Sequence, residues 1–473
     1  MSHFPTGTDQ TFRGNLRATL VLGAPLAASQ LAQLAINTTE TIYVGWLGAH
    51  ELAAAVLSTQ FLFIVLMLGS GFLFAILPIA AQADGRGDET GAANATRMGL
   101  WFSAAYATAA MPLMWQCEAI LVALGQDPQV AALAGSFMNI LQWSLYPALA
   151  TLALRSFMTA CGTGRMILIA TVAGVVANAI LGYALVFGAW GAPKLGLAGA
   201  AIAAVLSSLV IFSILAGAVV AHPRMRAFRR WSWLATPDWP ALSDLLRLGW
   251  PISATVIAEV GLFAAASLLV GWVGPEALAA HGIALQLASI AFMIPLGLSQ
   301  AATVRIGVAA GRRDQQALSA VSRAAIALAL MFSVVSVIAF VFLPAPLVAI
   351  FLDEANPGAA DVASHAVTLV AIAAGFQFFD SLQVTAIGLL RGLRDTRMPM
   401  TIAVFAYWLV GMPLAWVLGF PAGLGAPGIW IGLAAGLAVA ALLLTIRLRV
   451  LIARSMRKSN QAHPSRLATD SKL

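Results

Sequence analysis

The sequence predicts an all-α integral membrane protein, with twelve transmembrane helices in two pseudo-symmetric six-helix lobes. Composition is the first ground: 60% of the 473 residues are hydrophobic and 10% are charged, against about 25% charged in a soluble domain. Run length is the second, because the apolar stretches reach the ~20 residues that an α-helix needs to cross hydrocarbon. A β-barrel would show short alternating segments instead. The third is an internal repeat: Val44 to Ala54 reads VGWLGAHELAA and Val270 to Ala280 reads VGWVGPEALAA, an offset of 226 residues. The same offset pairs Leu22-Gly23-x-Pro25 with Leu248-Gly249-x-Pro251, Gln60 with Gln286, Gly71 with Gly297, Asp88 with Asp314 and Arg97 with Arg323. Chance does not hold one offset across such unlike residue types. Six helices per unit leave both copies in the same orientation, as in parallel repeats about an axis along the membrane normal.

The spans follow in order. Span one, 17–43, has Pro25 near its start and a polar stripe, since Gln30, Gln33, Asn37 and Glu40 fall within an arc of roughly 80° at about 100° per residue. Span two, 52–81, runs to the turn Gly85-Arg86-x-Asp88, and span three, 98–115, begins after Arg97. Spans four to six, 131–154, 166–189 and 196–221, are continuous apolar runs, the fifth containing Asn178. A basic, proline-containing linker, about His222 to Asp244, separates the lobes. Span seven, 245–273, repeats the first with Pro251 and carries Glu259. In span eight, 279–304, Gln286, Ser289, Met293 and Gln300 gather within roughly 60°. Span nine is 322–350. Span ten, 362–390, places Gln377, Asp380 and Ser381 on one side, and spans eleven and twelve, 399–419 and 428–446, complete the set. The domains are therefore an N-terminal lobe 1–221, a linker 222–244, a C-terminal lobe 245–450 and a solvated tail 451–473.

With twelve helices both termini share one side. That side holds Arg13, Arg17, the pairs Arg86/Arg97 and Arg155/Arg165, the cluster from Arg224 to Arg230, Arg312/Arg313, the group Arg391/Arg394/Arg397 and the basic tail. Of 26 Lys and Arg, Lys194 alone falls on the other. The positive-inside rule makes the basic side cytoplasmic, so a multi-pass membrane protein with both termini in the cytoplasm is expected. The net charge of +7 is explained by these short loops, so nucleic acid is not an expected partner. The first apolar run is a full span belonging to the repeat, so no removable signal peptide is expected. Cys117 and Cys161 fall on opposite sides, which argues against a disulfide.

Glu40, Glu259 and Asp380 lie well inside these spans, whereas the basic residues that the drawn bounds take in, Arg17, Arg247 and Arg323, stand within three residues of a span's start. An ionisable residue at membrane depth is read first as an ion or substrate site. Such a carboxyl holds a proton or a cation but not both with comfort, which is the exclusion an antiporter needs. Polar stripes cannot be satisfied by lipid and should face protein or a wet cavity, although Gln, Asn and Ser also join packed helices. Phe263, Phe292, Met293, Phe376, Phe379, Tyr407 and Trp408 offer apolar and aromatic walls for a flat cation, against ordinary helix packing. His281 is open to either a titrating or a packing role. Pro25 and Pro251 remove a backbone bond and permit a kink; the expectation for Pro25 is that it lets span one bend when the Glu40 region changes charge.

Three segments carry a family resemblance: PISATVIAEVGLFAAASLLVGWVGPEALAAHGIALQ with FMIPLGLSQAATVRIG, FQFFDSLQVTAIGLLRGLRDTRMPM, and NAILGYALVFGAWGAPKLGLAGAAIA. Over most of its length the chain resembles the multidrug and toxic compound extrusion transporters, in particular their NorM-like branch. The resemblance implies two lobes forming a V around a central cavity, and export of organic cations and drugs in exchange for Na⁺ or H⁺ by alternating access. It implies no cofactor beyond the coupling ion, a lipid environment, and action as a monomer. Glu259 in AEVGLF and Asp380 in FFDSLQ match the family's acidic residues, implicated in ion coupling and cation binding, with Na⁺ the metal they would hold. Glu40 stands where relatives usually carry Asp, Asn178 matches an Asn near it, and Gly182 stands where one branch has a further Asp. Gln33, Asn37, Phe263, Gln286, Phe292, Met293, Gln377 and Phe379 would line the substrate cavity.

The same residues are open to three other readings. A major facilitator antiporter also has twelve helices in parallel repeats, and ADGRGD at Ala83 to Asp88 is similar to its loop signature. A lipid or oligosaccharide flippase of the same superfamily would call for Arg or Lys in its cavity. An intramembrane enzyme would use paired carboxylates for acid/base chemistry, but no nucleophile motif, metal cluster or phosphate loop accompanies them, so no enzyme is expected.

Overall fold

The structure, a computed structural model, describes residues 11–221, 236–352 and 359–462. Residues 222–235 of the expected linker and 463–473 of the expected tail lie outside the described residues. Among the described residues the chain is helical throughout, with no strand. The helices are α1 (Phe12–Gly45), α2 (Ala49–Phe74), α3 (Ile76–Arg86), α4 (Glu89–Trp115), α5 (Cys117–Ala123), α6 (Pro128–Leu141), α7 (Leu145–Ala160), α8 (Gly164–Phe187) and α9 (Leu197–Ala221). They continue as α10 (Trp239–Val273), α11 (Pro275–Gly311), α12 (Gln315–Phe342), α13 (Pro344–Ala349), α14 (Ala359–Gly392), α15 (Arg397–Val404), α16 (Met412–Gly419) and α17 (Gly425–Ala462). Among the described residues ten stretches are long and apolar enough to cross a membrane. The other two expected spans are α4, with Glu89 and Arg97 near its start, and α6–α7, interrupted by a tight turn at Gln142–Ser144.

The helices outrun the apolar stretches at both ends, because a hydropathy scan stops at the first charge whereas a backbone in lipid must keep its hydrogen bonds within the segment. Pro25 and Pro251 consequently lie inside α1 and α10 rather than near their starts. Arg155, Arg305 and Arg391 likewise belong to helices α7, α11 and α14. This corrects the assignment of Arg155 and Arg391 to loops. The last helix continues through Ala462, so the expected tail begins as helix.

Two compact units form: Met1–Ala27 with Thr255–Leu473, and Ala28–Ala254. Their boundaries cut α1 and α10 in mid-helix, not in the linker. Small residues explain this, since helices in lipid associate by close backbone packing rather than hydrophobic drive. In the first unit a Cβ on Gly297 would lie 2.4 Å from the Ala27 nitrogen, and one on Gly23 would lie 2.8 Å from the Leu298 side chain. In the second, a Cβ on Gly71 would lie 2.3 Å from the Ser253 nitrogen, and one on Gly249 would lie 2.6 Å from the Phe72 Cα. These are repeat mates, Gly297 with Gly71, Ala27 with Ser253, Gly23 with Gly249 and Leu298 with Phe72. The first half of α1 therefore packs on α11, and the first half of α10 packs on α2. Arg305 secures the former by donating to the Asn15 carbonyl, Asn15 Oδ1 and Thr19 Oγ1, each at 2.6 Å.

The Gly-Arg-x-Asp turns are also accounted for. Asp88 caps α4 by accepting from the Gly91 amide at 2.8 Å, and its mate Asp314 caps α12 by accepting from the Ala317 amide at 2.9 Å. The residue before each cap is left-handed, Gly87 at φ 75° and Arg313 at φ 57°. ADGRGD is thus a helix stop and a helix start.

Candidate functional site

The second unit holds a small polar constellation around Glu40. The Glu40 Oε1 atom accepts a 2.8 Å hydrogen bond from Asn178 Nδ2 on α8, and the same amide reaches Ser207 Oγ on α9 at 3.4 Å. Asn178 and Ser207 are buried. Ser207 was missed in the sequence, where one Ser among many small residues in an apolar helix gives no signal. The place of the further Asp of one branch is filled otherwise here. A Cβ on Gly182 would lie 2.9 Å from the Tyr43 ring, whose hydroxyl donates to the Ala179 carbonyl at 3.2 Å. Tyr43 occupies the space that a longer side chain would need.

In the same unit Gln30 does not act with Glu40. Arg155 from α7 donates through Nη2 to Ser29 Oγ at 2.8 Å and to Gln30 Oε1. A guanidinium thus enters the polar stripe of α1, contrary to the expectation that no cation lies well inside the spans. Gln33 is half-buried and Asn37 exposed.

The first unit holds the acid pair. Asp380 on α14 is 3% exposed, with Gln377 and Ser381 fully buried beside it. Asp380 Oδ1 and both amide atoms of Gln377 have no hydrogen-bond partner among the described residues. Burial without a partner costs about 1–3 kcal/mol per polar group. Glu259 from α10 lies within electrostatic range of Asp380, Tyr407 and Arg391. The two acids repel one another, while Arg391, in the last turn of α14, attracts Glu259. Tyr407 comes from a π-helical stretch, Phe405–Gly411, between α15 and α16. Such widened turns recur at functional sites, and this one precedes Pro413, which has no N–H to continue the ladder. The buried Tyr407 hydroxyl accepts from Gln383 Nε2 at 2.5 Å.

Aromatic packing surrounds this pair. Phe263, one turn from Glu259, meets Phe376 at 5.9 Å, and Phe376 meets Trp430 at 5.4 Å. Trp408 donates to the Ala258 carbonyl at 3.1 Å. His281 is 1% exposed; its Nδ1 accepts from Trp430 Nε1 at 3.0 Å and its Nε2 lies 3.0 Å from Ser267 Oγ. An accepting Nδ1 is the neutral ring, so His281 has the packing role. Phe379 packs edge-on to Phe378 at 5.4 Å, Phe292 and Met293 are half-buried, and Gln286 is exposed. The expected cavity residues thus divide between the units: Gln33 and Asn37 in the second, Phe263, Gln286, Phe292, Met293, Gln377 and Phe379 in the first.

A family model described as MatE matches twice, at residues 25–184 and 251–417, so its copies start at the offset of the internal repeat. The chain belongs to the MatE family. Over 453 residues it is 47% identical to a probable multidrug resistance protein NorM of Agrobacterium fabrum, covering 96% of this chain and 97% of that one. The corresponding NorM protein of Rhizobium meliloti is 45% identical over 447 residues, covering 94% and 96%. Among solved structures, the eukaryotic MATE transporter AtDTX14 is similar with a TM-score of 0.83 at 22% identity, covering 95% of this chain and 99% of that one. An outward-facing MATE transporter of the MOP superfamily is similar at 0.82 and 20% identity, covering 94% and 97%. At such identities the likeness concerns the fold. MatE membership makes the chain a multi-pass membrane transporter rather than an enzyme, and it sets aside the major facilitator reading.

Proposed function

We propose that this MatE protein is a secondary active multidrug efflux transporter that exports cationic amphipathic compounds in exchange for Na⁺ or H⁺ by alternating access. It acts as a monomer in the bacterial inner membrane with both termini cytoplasmic, as the distribution of basic residues supports. The observation that carries the reading is Asp380, buried with an unpartnered oxygen beside an unpartnered Gln377 and within range of Glu259. Buried polar atoms without protein partners call for an ion, a proton or water. Oxygen donors of this kind suit a hard cation, so Asp380, Gln377 and Glu259 are the residues that would hold Na⁺. Glu40 and Asn178 form the corresponding site of the second unit. The relatives named for multidrug resistance support the substrate class.

The test uses purified protein in liposomes with a Na⁺ gradient and a pH gradient imposed separately, following a fluorescent organic cation. Transport driven by one gradient, and lost in Glu259→Gln and Asp380→Asn at unchanged yield of folded protein, is the expected result. Full activity in both variants would overturn the assignment. One observation favours a flippase as the second reading. Arg155 enters the α1 stripe with no carboxylate among the hydrogen-bond partners it has in the described residues. Movement of an anionic lipid probe without either gradient would support that alternative.

A further inference from the structure

We propose that the first unit carries a site for one anionic glycerophospholipid in the cytoplasmic leaflet, in a groove between α12 and α17. It rests on the orientation proposed above and is independent of the transport reaction. The groove, of about 430 Å³, is lined on α12 by Arg323, Ile326, Ala327 and Leu330 and on α17 by Arg449, Ile452 and their neighbours. A hydrogen bond between Ser455 Oγ and Gln315 Oε1 closes the two helices at the cytoplasmic end. Counting the helical rise from it, Arg323 stands roughly 12 Å along α12 and Arg449 roughly 9 Å along α17, so the guanidinium groups share one depth. Ile326, Ala327 and Leu330 continue for about two turns toward the bilayer centre, roughly 10 Å beyond Arg323.

The internal repeat supplies a comparison within the molecule. Arg97, the mate of Arg323, is buried in the second unit and lies 3.6 Å from Asp238. Arg323 is exposed, and its Nε donates to the Ser319 carbonyl one turn nearer the cytoplasmic end. Neither Arg323 nor Arg449 has a carboxylate partner among the described residues, and no carboxylate lines the groove. Nearby Arg447 on α17 is satisfied by Asp395 at 2.9 Å. Two unneutralised guanidinium groups above an apolar slot are complementary to a phosphate carrying an acyl chain. Arg prefers phosphate for its fork of donors, and basic pockets between helices on this side of a membrane bind lipid headgroups.

The experiment is native mass spectrometry of the purified full chain titrated with phosphatidylglycerol or phosphatidylcholine of identical acyl chains, with glycerol phosphate and inorganic phosphate as separate arms. The expected result is at least tenfold tighter binding of phosphatidylglycerol, reduced to the phosphatidylcholine level by the double substitution R323Q/R449Q. Ala327→Phe, which fills the slot and leaves both charges, should also abolish the preference. Single variants R323Q and R449Q, each expected to lose part of it, keep the test open should the double variant not fold. Equal binding of both lipids, an undiminished preference in the folded variants, or equally tight binding of inorganic phosphate would overturn the proposal.

Discussion

Asn178 holds Glu40 by one 2.8 Å hydrogen bond and shares its amide with Ser207, so the geometry of the second unit's acid hangs on a single neutral side chain. Hydrogen bonds to charged groups contribute about 1.5–3 kcal/mol. Replacing Asn178 by Ala should therefore weaken gradient-driven export by roughly tenfold or more if Glu40 is used as an anion. Initial rates in liposomes beside wild type measure it, and an unchanged rate would remove Glu40 from the mechanism. Tyr43 over Gly182 makes the same point from the other side: a single ring decides which carboxylates this unit has room for. Glu259 and Asp380 were legible in the sequence because charge in an apolar run has few structural uses. Arg391 was not, since it sits one residue beyond the apolar run and is drawn into the acid site only by the length of α14.

At the scale of elements, the decisive contacts are those in which a glycine admits a backbone. Gly297→Ala would set a Cβ 2.4 Å from the Ala27 nitrogen, a clash with main chain that no rotamer relieves. Overpacking of this kind costs about 1–3 kcal/mol. Thermal unfolding in detergent should show a lowered midpoint, and Gly71→Ala, in the other unit, should add to it nearly independently. Pro25→Ala acts on the same helix differently. It restores a backbone bond, so the midpoint should hold or rise while export falls; unchanged export in folded protein would remove Pro25 as a bending point. The spans themselves were readable because each is a long apolar run. The interruptions at Ala75, Gln142–Ser144 and Phe405–Gly411 were not, although Pro78, Pro147 and Pro413 follow them closely, because a hydropathy scan does not register a missing backbone N–H.

For the whole molecule, the basic residues predict sidedness. A cysteine at Lys194 in an otherwise cysteine-free protein should react with a membrane-impermeant maleimide from outside intact cells, and one at Arg312 should not. The reverse pattern would invert the topology. The repeat was plain in the sequence, and it led to two lobes divided at the linker. The compact units divide elsewhere, at Ala27 and Ala254. Sequence similarity reports descent of each copy as a continuous stretch, whereas packing reports which small residues meet, and Gly23 and Gly249 carry no mark of their partners.

That exchange bears on how the chain is made. When synthesis has passed Ala254 the second unit has all of its residues, but α11, on which residues 12–27 pack, has not yet emerged. The start of α1 must wait in the bilayer through the synthesis of more than half the protein. The Asn15 side-chain oxygen that Arg305 later engages would meanwhile need a lipid headgroup, water or an assembly factor. A gene split in the linker would give two fragments each bearing the other's helix stub, and neither should hold together unless both are made in the same cell.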